Sequence, residues 1–134
     1  MGIFYTDCTV INAARPSKRA SIAKMLVDSG SEFTWIPELL LKQAGVKIQK
    51  KDVPFQMANG QTISRHTGYA IIQCGAFETV DEVVFAQPGD LSLLGARTLE
   101  GFGALVDSRR KRLVAAGPHV VARAKTKTTS FRGK

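Results

Sequence analysis

Asp28 is the acid best placed for chemistry. It stands in Leu26-Val27-Asp28-Ser29-Gly30-Ser31-Glu32-Phe33-Thr34-Trp35-Ile36-Pro37, where an apolar run from Ser21 to Val27 ends on a carboxylate and Ser29-Gly30 follows. A carboxylate at a strand end, just before a glycine turn, is held by rigid backbone and points out of the sheet. Sites on rigid elements are positioned more tightly than sites on loops. A group held this way can accept or donate a proton in a reaction. The plainer reading of the stretch is a strand, a polar turn and a new segment. Other residue types offer less. His66 and His119 have no Cys or carboxylate at ligand spacing, so no metal is expected. Ser29 and Ser31 lack the Gly-x-Ser-x-Gly setting of a nucleophile elbow, which argues against a serine triad. No cofactor is implied.

The elements that must position Asp28 can be read from the surrounding pattern. Residues 3–13 mix β-branched and aromatic side chains and predict a strand; Ala14 to Arg19, with Pro16, forms a polar turn into Ser21–Val27. Together they make a hairpin that delivers Asp28. Pro37 to Ala44 has helical spacing, with Leu40, Leu41 and Ala44 on one side and Gly45 as the stop. So short a helix has to pack on a sheet to persist. Asn59-Gly60 between Asp52–Ala58 and Gln61–Tyr69 is a strong hairpin signal and suggests a type I′ turn. Tyr69–Cys74 reads as another strand, Gly75-Ala76 as a turn and Thr79–Ala86 as a further strand. Gly103–Asp107 and Arg112–Ala116 flank Ser108-Arg109-Arg110-Lys111 as a last hairpin.

The chain of 134 residues fits one domain and is long enough to bury its own core. We expect that domain over residues 1–116 and a basic, flexible tail over 117–134. The formal net charge of +8 is unevenly spread: no acid follows Asp107, and nine Lys and Arg do. The preceding part is near neutral. A basic tail can contact nucleic acid or anionic lipid, although most such tails are simply solvated. Cys8 and Cys74 lie in strand-like runs and are too few for a zinc framework. They are expected as buried thiols in a reducing, cytoplasmic compartment. No apolar run reaches the roughly 18 residues of a membrane span, and the N-terminus lacks the shape of a signal peptide.

The Asp28 stretch resembles the aspartic proteases of the pepsin and retroviral type. Their motif is apolar-Asp-Thr/Ser-Gly-Ser/Ala, and Trp35-Ile36-Pro37 stands where pepsin-like members often carry Trp-apolar-Pro. Leu93-Leu94-Gly95 resembles the late apolar-apolar-Gly segment of retroviral-type members, with Ala96–Gly101 as the short helix after it. Many members have Arg directly after that Gly; here Ala96 intervenes before Arg97. Four landmarks, the hairpin into Asp28-Ser29-Gly30, the Asn59-Gly60 hairpin, Leu93-Leu94-Gly95 and the short helix, fall in the family order over about residues 3–116. The resemblance implies an all-β, retropepsin-like closed β-barrel with one or two short helices.

It also implies a function: an aspartic endopeptidase with no cofactor and no metal, cutting an extended peptide or protein substrate. In that chemistry two carboxyls share one proton and activate a water. One Asp-Ser-Gly motif per chain implies a homodimer, with Asp28 of each subunit at the two-fold axis. By the same resemblance Ser29 would bond across the axis, Gly30 would let the loops approach, and Ser31 would donate to Asp28. Ala58, Asn59, Gly60 and Gln61 would form the tip of a flap over the substrate, with backbone N–H groups near Gly60 reaching a substrate carbonyl or a water. A second reading is a catalytically inactive dimerisation or peptide-binding module, favoured by the extra acid Glu32 beside the motif. Nucleic-acid contact through the basic tail is compatible with either, but Phe131 is the one aromatic near those charges in sequence.

Overall fold

The computed structural model describes residues 3–118. β1 (Tyr5–Ile11) and β2 (Arg19–Val27) form the first antiparallel hairpin. The Asn12 side chain organises its turn. Asn12 Oδ1 accepts the N–H groups of Ala14 and Arg15, both at 2.9 Å. Its Nδ2 donates to the carbonyls of Ala44 and Gly45, each at 3.0 Å. Those carbonyls end α1 (Glu38–Gln43), which follows β3 (Thr34–Pro37). Leu41 and Ala44 are buried and Leu40 is half-buried against the sheet; Gly45 takes the left-handed conformation, φ 72°, past the helix end. A glycine there avoids the Cβ penalty of that conformation.

β4 (Lys50–Gln56) pairs antiparallel with the first half of β5 (Thr62–Cys74), and β6 (Phe77–Ala86) pairs with the second half. The sequence suggested two strands, divided near Tyr69; the chain makes a single 13-residue one. Gly68 at its middle costs no break because a Cβ there would lie 2.4 Å from the Lys47 carbonyl oxygen, so the strand passes close beneath another backbone. The turn before β5 also differs from the type I′ expectation. Among its residues only Gly60 has positive φ, 87°. Gly60 N–H donates to Met57 O at 2.9 Å and Met57 N–H to Gln61 O at 2.7 Å. This is a three-residue loop, a tight turn followed by one left-handed glycine. Asn59 keeps negative φ and instead accepts the Gln61 N–H on its side-chain oxygen at 2.9 Å.

β7 (Leu93–Leu94) enters between β2 and β3, parallel to the former and antiparallel to the latter. The sheet order is β1-β2-β7-β3-β6-β5-β4, and an additional β1–β5 pairing closes it into a ring. The fold is therefore all-β, with short helices α1 and α2 (Ala96–Phe102). The main core fills the ring with Val10, Ile22, Met25, Ile36, Ile72, Val83, Phe85 and Leu94, all at most 2% exposed. β8 (Ala104–Asp107) and β9 (Arg112–Ala115) form a separate hairpin that packs Val106 and Leu113 onto that core.

Cys8 and Cys74 are buried, but the expectation of free thiols is corrected. They form a disulfide across the β1–β5 closure, because the ring places their Cα atoms 4.4 Å apart. The argument for a reducing compartment that rested on free thiols falls with it. No helix among the described residues is long and apolar enough to cross a membrane. The expected flexible tail lies, beyond Pro118, outside the described residues.

Candidate active site

Asp28 directly follows Val27, the last residue of β2, and its backbone is held by the sheet. Asp28 N–H donates to Leu94 O at 3.0 Å, while Val27 and Leu26 stay in register with Leu94 and Leu93. The carboxylate is half-buried and engaged on both oxygens by its own loop. Gly30 N–H donates to Oδ1 at 3.0 Å, and Ser31 Oγ donates to Oδ2 at 2.9 Å. Ser31 N–H closes the turn on Asp28 O at 3.2 Å. Donors on both oxygens fix the plane of the group. The structure thus brings Asp28, Gly30 and Ser31 together. Ser29 and Gly30 are exposed on the outer side of the loop.

The loop is clamped from behind by Gly95 and α2. Ala96 N–H donates to Ser31 O at 2.7 Å and Arg97 N–H to Glu32 O at 3.1 Å, so the unpaired N–H groups of the first helical turn are used on the loop. The backbones are so close that a Cβ on Gly95 would lie 2.3 Å from Phe33 O. The glycine of Leu93-Leu94-Gly95 is required here by that approach.

Beneath the clamp runs a polar chain that sequence reasoning missed. Thr34 and Thr98 are fully buried, with their hydroxyls hydrogen-bonded to each other. Gly95 N–H donates to Thr34 Oγ at 2.9 Å, and Thr98 Oγ lies 2.8 Å from Asp81 Oδ2. Ionised Asp81 can only accept, so Thr98 donates to it, Thr34 donates to Thr98, and Thr34 accepts from Gly95. Arg97 lies 3.9 Å from the other Asp81 oxygen and holds its guanidinium 4.6 Å above the Phe33 ring. Each partner is distant in sequence, and single Thr and Asp residues carry no motif that could have revealed the pairing.

The Ala58-Asn59-Gly60-Gln61 tip is exposed, and none of its hydrogen bonds reaches the Asp28 loop. The link lies lower. Phe55 on β4 packs edge-on against Phe33 and Trp35, with ring centroids 5.3 Å apart in both pairs. Ile63 joins this second cluster with Leu26, Val84, Ala86 and Leu93. Trp35 is core packing beside the site, 8% exposed. The far side of the hairpin is tied by Arg65, which holds Asp90 in a two-point ion pair at 2.7 and 2.8 Å. Hydrogen bonds from Arg65 hold the Asp90 carboxyl below its usual range, against an opposing effect of burial; the same bonds raise Arg65. The Gly60 N–H itself is spent on Met57 O within the turn. Among the described residues, the tip N–H groups without a partner are those of Ala58 and Asn59.

A strand-end Asp-Ser-Gly-Ser loop, pinned by a buried apolar-apolar-Gly segment and facing a hairpin, is an arrangement that can be compared with known families. Residues 19–101 match the family model described as "gag-polyprotein putative aspartyl protease", more than half of the chain. The chain belongs to this aspartyl protease family. The crystal structure of the retroviral protease-like domain of Ddi1 from Leishmania major is similar in fold. Its TM-score is 0.54 at 16% identity, over 86% of this chain and 89% of that one. No curated protein sequence matches the chain. The family match spans β2 to α2 and so contains Asp28, the β4–β5 hairpin and Gly95. Where many retroviral-type members carry Arg directly after the glycine, this aspartyl protease relative has Ala96, and Arg97 supplies the guanidinium beside the loop from one position later.

Proposed function

We propose that the chain is an aspartic endopeptidase active as a homodimer, hydrolysing peptide bonds with a water held between two Asp28 carboxyls. The observation that carries this is the state of Asp28. Its loop is rigid, its oxygens are oriented by Gly30 N–H and Ser31 Oγ, and no second carboxylate among the described residues hydrogen-bonds to it. A dyad therefore needs a second copy of the chain. The exposed edge of the loop, Ser29-Gly30, is the side on which a two-fold partner would sit.

In the paired site one Asp28 is ionised and the other protonated, since two adjoining carboxyls resist losing both protons. The ionised carboxylate takes a proton from the water as its oxygen attacks the peptide carbonyl carbon. The protonated partner gives its proton to the carbonyl oxygen, which yields a neutral tetrahedral diol. Collapse of that diol returns a proton to a carboxylate and delivers one to the departing nitrogen, so the dyad ends with one shared proton. The substrate lies extended beneath the hairpin, its backbone pairing with strand edges. Ala58, Asn59, Gly60 and Gln61 close over it, and the unpaired N–H groups of Ala58 and Asn59 are the donors available to its carbonyls.

The test is cleavage of an unfolded protein across about pH 3 to 7, where a coupled carboxyl pair can hold a single proton. Wild type and Asp28→Asn are compared at matched concentration, with the oligomeric state measured by ultracentrifugation. Cleavage in wild type that is absent from a folded Asp28→Asn supports the proposal. A wild-type dimer that binds peptide without cutting it selects the binding-module reading instead.

A further inference from the structure

We propose that the β8–β9 turn and the exposed ring of Tyr5 form a binding surface for single-stranded nucleic acid. The turn carries Arg109, Arg110, Lys111 and Arg112 in succession, all exposed. None of the four makes an ion pair among the described residues. The one acid of the hairpin, Asp107, spends Oδ1 on the Arg110 N–H at 3.1 Å, which shapes the turn. Lys111 adopts φ 55° there. The hairpin is based on the core through Val106 and Leu113, and it follows α2, whose last residue Phe102 stacks on Phe77 at 5.8 Å.

The cations do not stand alone. Lys111 and Arg112 line one wall of a shallow cleft whose other walls include Tyr5, Thr6, Gly75 and Phe77. Tyr5 is 59% exposed, a large ring left in solvent beside unpaired guanidinium and ammonium groups. In sequence the aromatic is more than a hundred residues from the basic run; the fold brings both to the walls of one cleft. Cations that track a phosphate backbone, with a nearby aromatic face on which a base can stack, are the two components of sequence-tolerant single-strand binding. An acidic peptide would use the charges but has no need of the ring. An anionic membrane would favour apolar side chains at the tip, and Ser108 to Lys111 contains none.

The experiment measures fluorescence anisotropy of a labelled 16-nucleotide poly-U strand with the full chain over a series of NaCl concentrations. The variants are Arg109→Gln/Arg110→Gln/Lys111→Asn/Arg112→Gln, Tyr5→Ala and Tyr5→Phe, each checked for folding by Trp35 emission. Each charge paired with a phosphate adds about 0.7 to the salt slope for single strands, so the four-charge variant should lose up to about 3 of slope. Tyr5→Ala should bind about tenfold more weakly with the slope unchanged, as loss of one stacked base predicts, and Tyr5→Phe should bind like wild type. Asp28→Asn should also bind like wild type, so this result is separate from the protease question. The proposal is overturned by an unchanged slope in the four-charge variant, which would move binding to other cations of the chain. It is equally overturned by a Tyr5→Ala affinity equal to wild type, or by binding to phosphatidylserine vesicles or polyglutamate with none to the oligonucleotide.

Discussion

Thr34→Val should destabilise the protein by about 2–4 kcal/mol, although it removes one oxygen and adds one methyl of similar size. Thr34 is fully buried, so the change opens no cavity and exposes no apolar surface. What it removes is an acceptor for Gly95 N–H and a donor to Thr98. A buried N–H left without a partner costs about 1–3 kcal/mol, and the lost bond to Thr98 adds about 1 kcal/mol. Thr98→Val should cost a similar amount, since it strips Asp81 of a charge-assisted donor and leaves the Thr34 hydroxyl without an acceptor. The pair should be non-additive, with the double variant less damaged than the sum, because each single change already breaks the shared bond. The assay is equilibrium urea unfolding followed by Trp35 fluorescence at one fixed protein concentration. Trp35 is the single tryptophan of the chain and lies next to Thr34 in β3. A Thr34→Val variant within about 0.5 kcal/mol of wild type, or strict additivity of the two changes, would refute the hydroxyl relay.

Phe55→Ala removes both 5.3 Å ring contacts between the hairpin and the Asp28 loop; aromatic pairs add about 0.5–1.5 kcal/mol each beyond area burial. It should red-shift Trp35 emission and, in the proposed protease, raise KM; an unmoved emission spectrum would show that the contact is absent in solution. Asp90 has its folded pKa lowered chiefly by Arg65, so its stabilisation is present above the unfolded value of about 3.9 and is lost as pH falls through the lower folded value. Asp90→Asn should therefore lower the urea midpoint at neutral pH and flatten its decline below about pH 4, and an unchanged acid limb would contradict the ion pair. Replacing Cys8 and Cys74 together by Ser opens a covalent loop with a sequence separation of 66. Chain-entropy reasoning gives a loss of about 4 kcal/mol for a loop of this size; thiol titration of the unreduced wild type should find no free thiol, and finding two would end the argument.

Asp28 and its loop were legible because their signal is local: an apolar strand, an acid, then Ser-Gly. The hairpins, the short helices and Leu93-Leu94-Gly95 were legible for the same reason, through periodicity and turn chemistry over a few residues. The departures lie where distant segments decide. Gln61–Tyr69 and Tyr69–Cys74 read as two successive strands, yet β5 runs through both, with Gly68 passing close under the Lys47 backbone. Asn59-Gly60 permits a type I′ turn, but the Met57–Gln61 register leaves one left-handed position, which Gly60 takes. Cys8 and Cys74 gave no local sign of pairing, since only closure of β1 on β5 brings them together. Asp81, Thr98 and Thr34 belong to three different elements, and their joint role depends on how α2 lies across β6 and β3.

The continuity of β5 gives the molecule a lever. From Thr62 to His66 the strand has β4 as its sole neighbour; from Thr67 onward β6 supports it, and near its end β1 and the disulfide bolt it in place. Yet that first half is not free: Arg65 is paired with Asp90, and Ile63 packs with Phe55 in the cluster around Trp35. The fulcrum therefore lies past Ile63, and the lever is short. At about 3.3 Å per residue the arm from Ile63 to Gly60 is about 10 Å long, and a bend of about 10° there would sweep the tip through about 2 Å. A wider swing requires the Arg65–Asp90 pair and the Phe55 contacts to give way together. Those contacts act as a latch on the hairpin, and a residue there can retune its opening without touching the disulfide-bolted end of the strand.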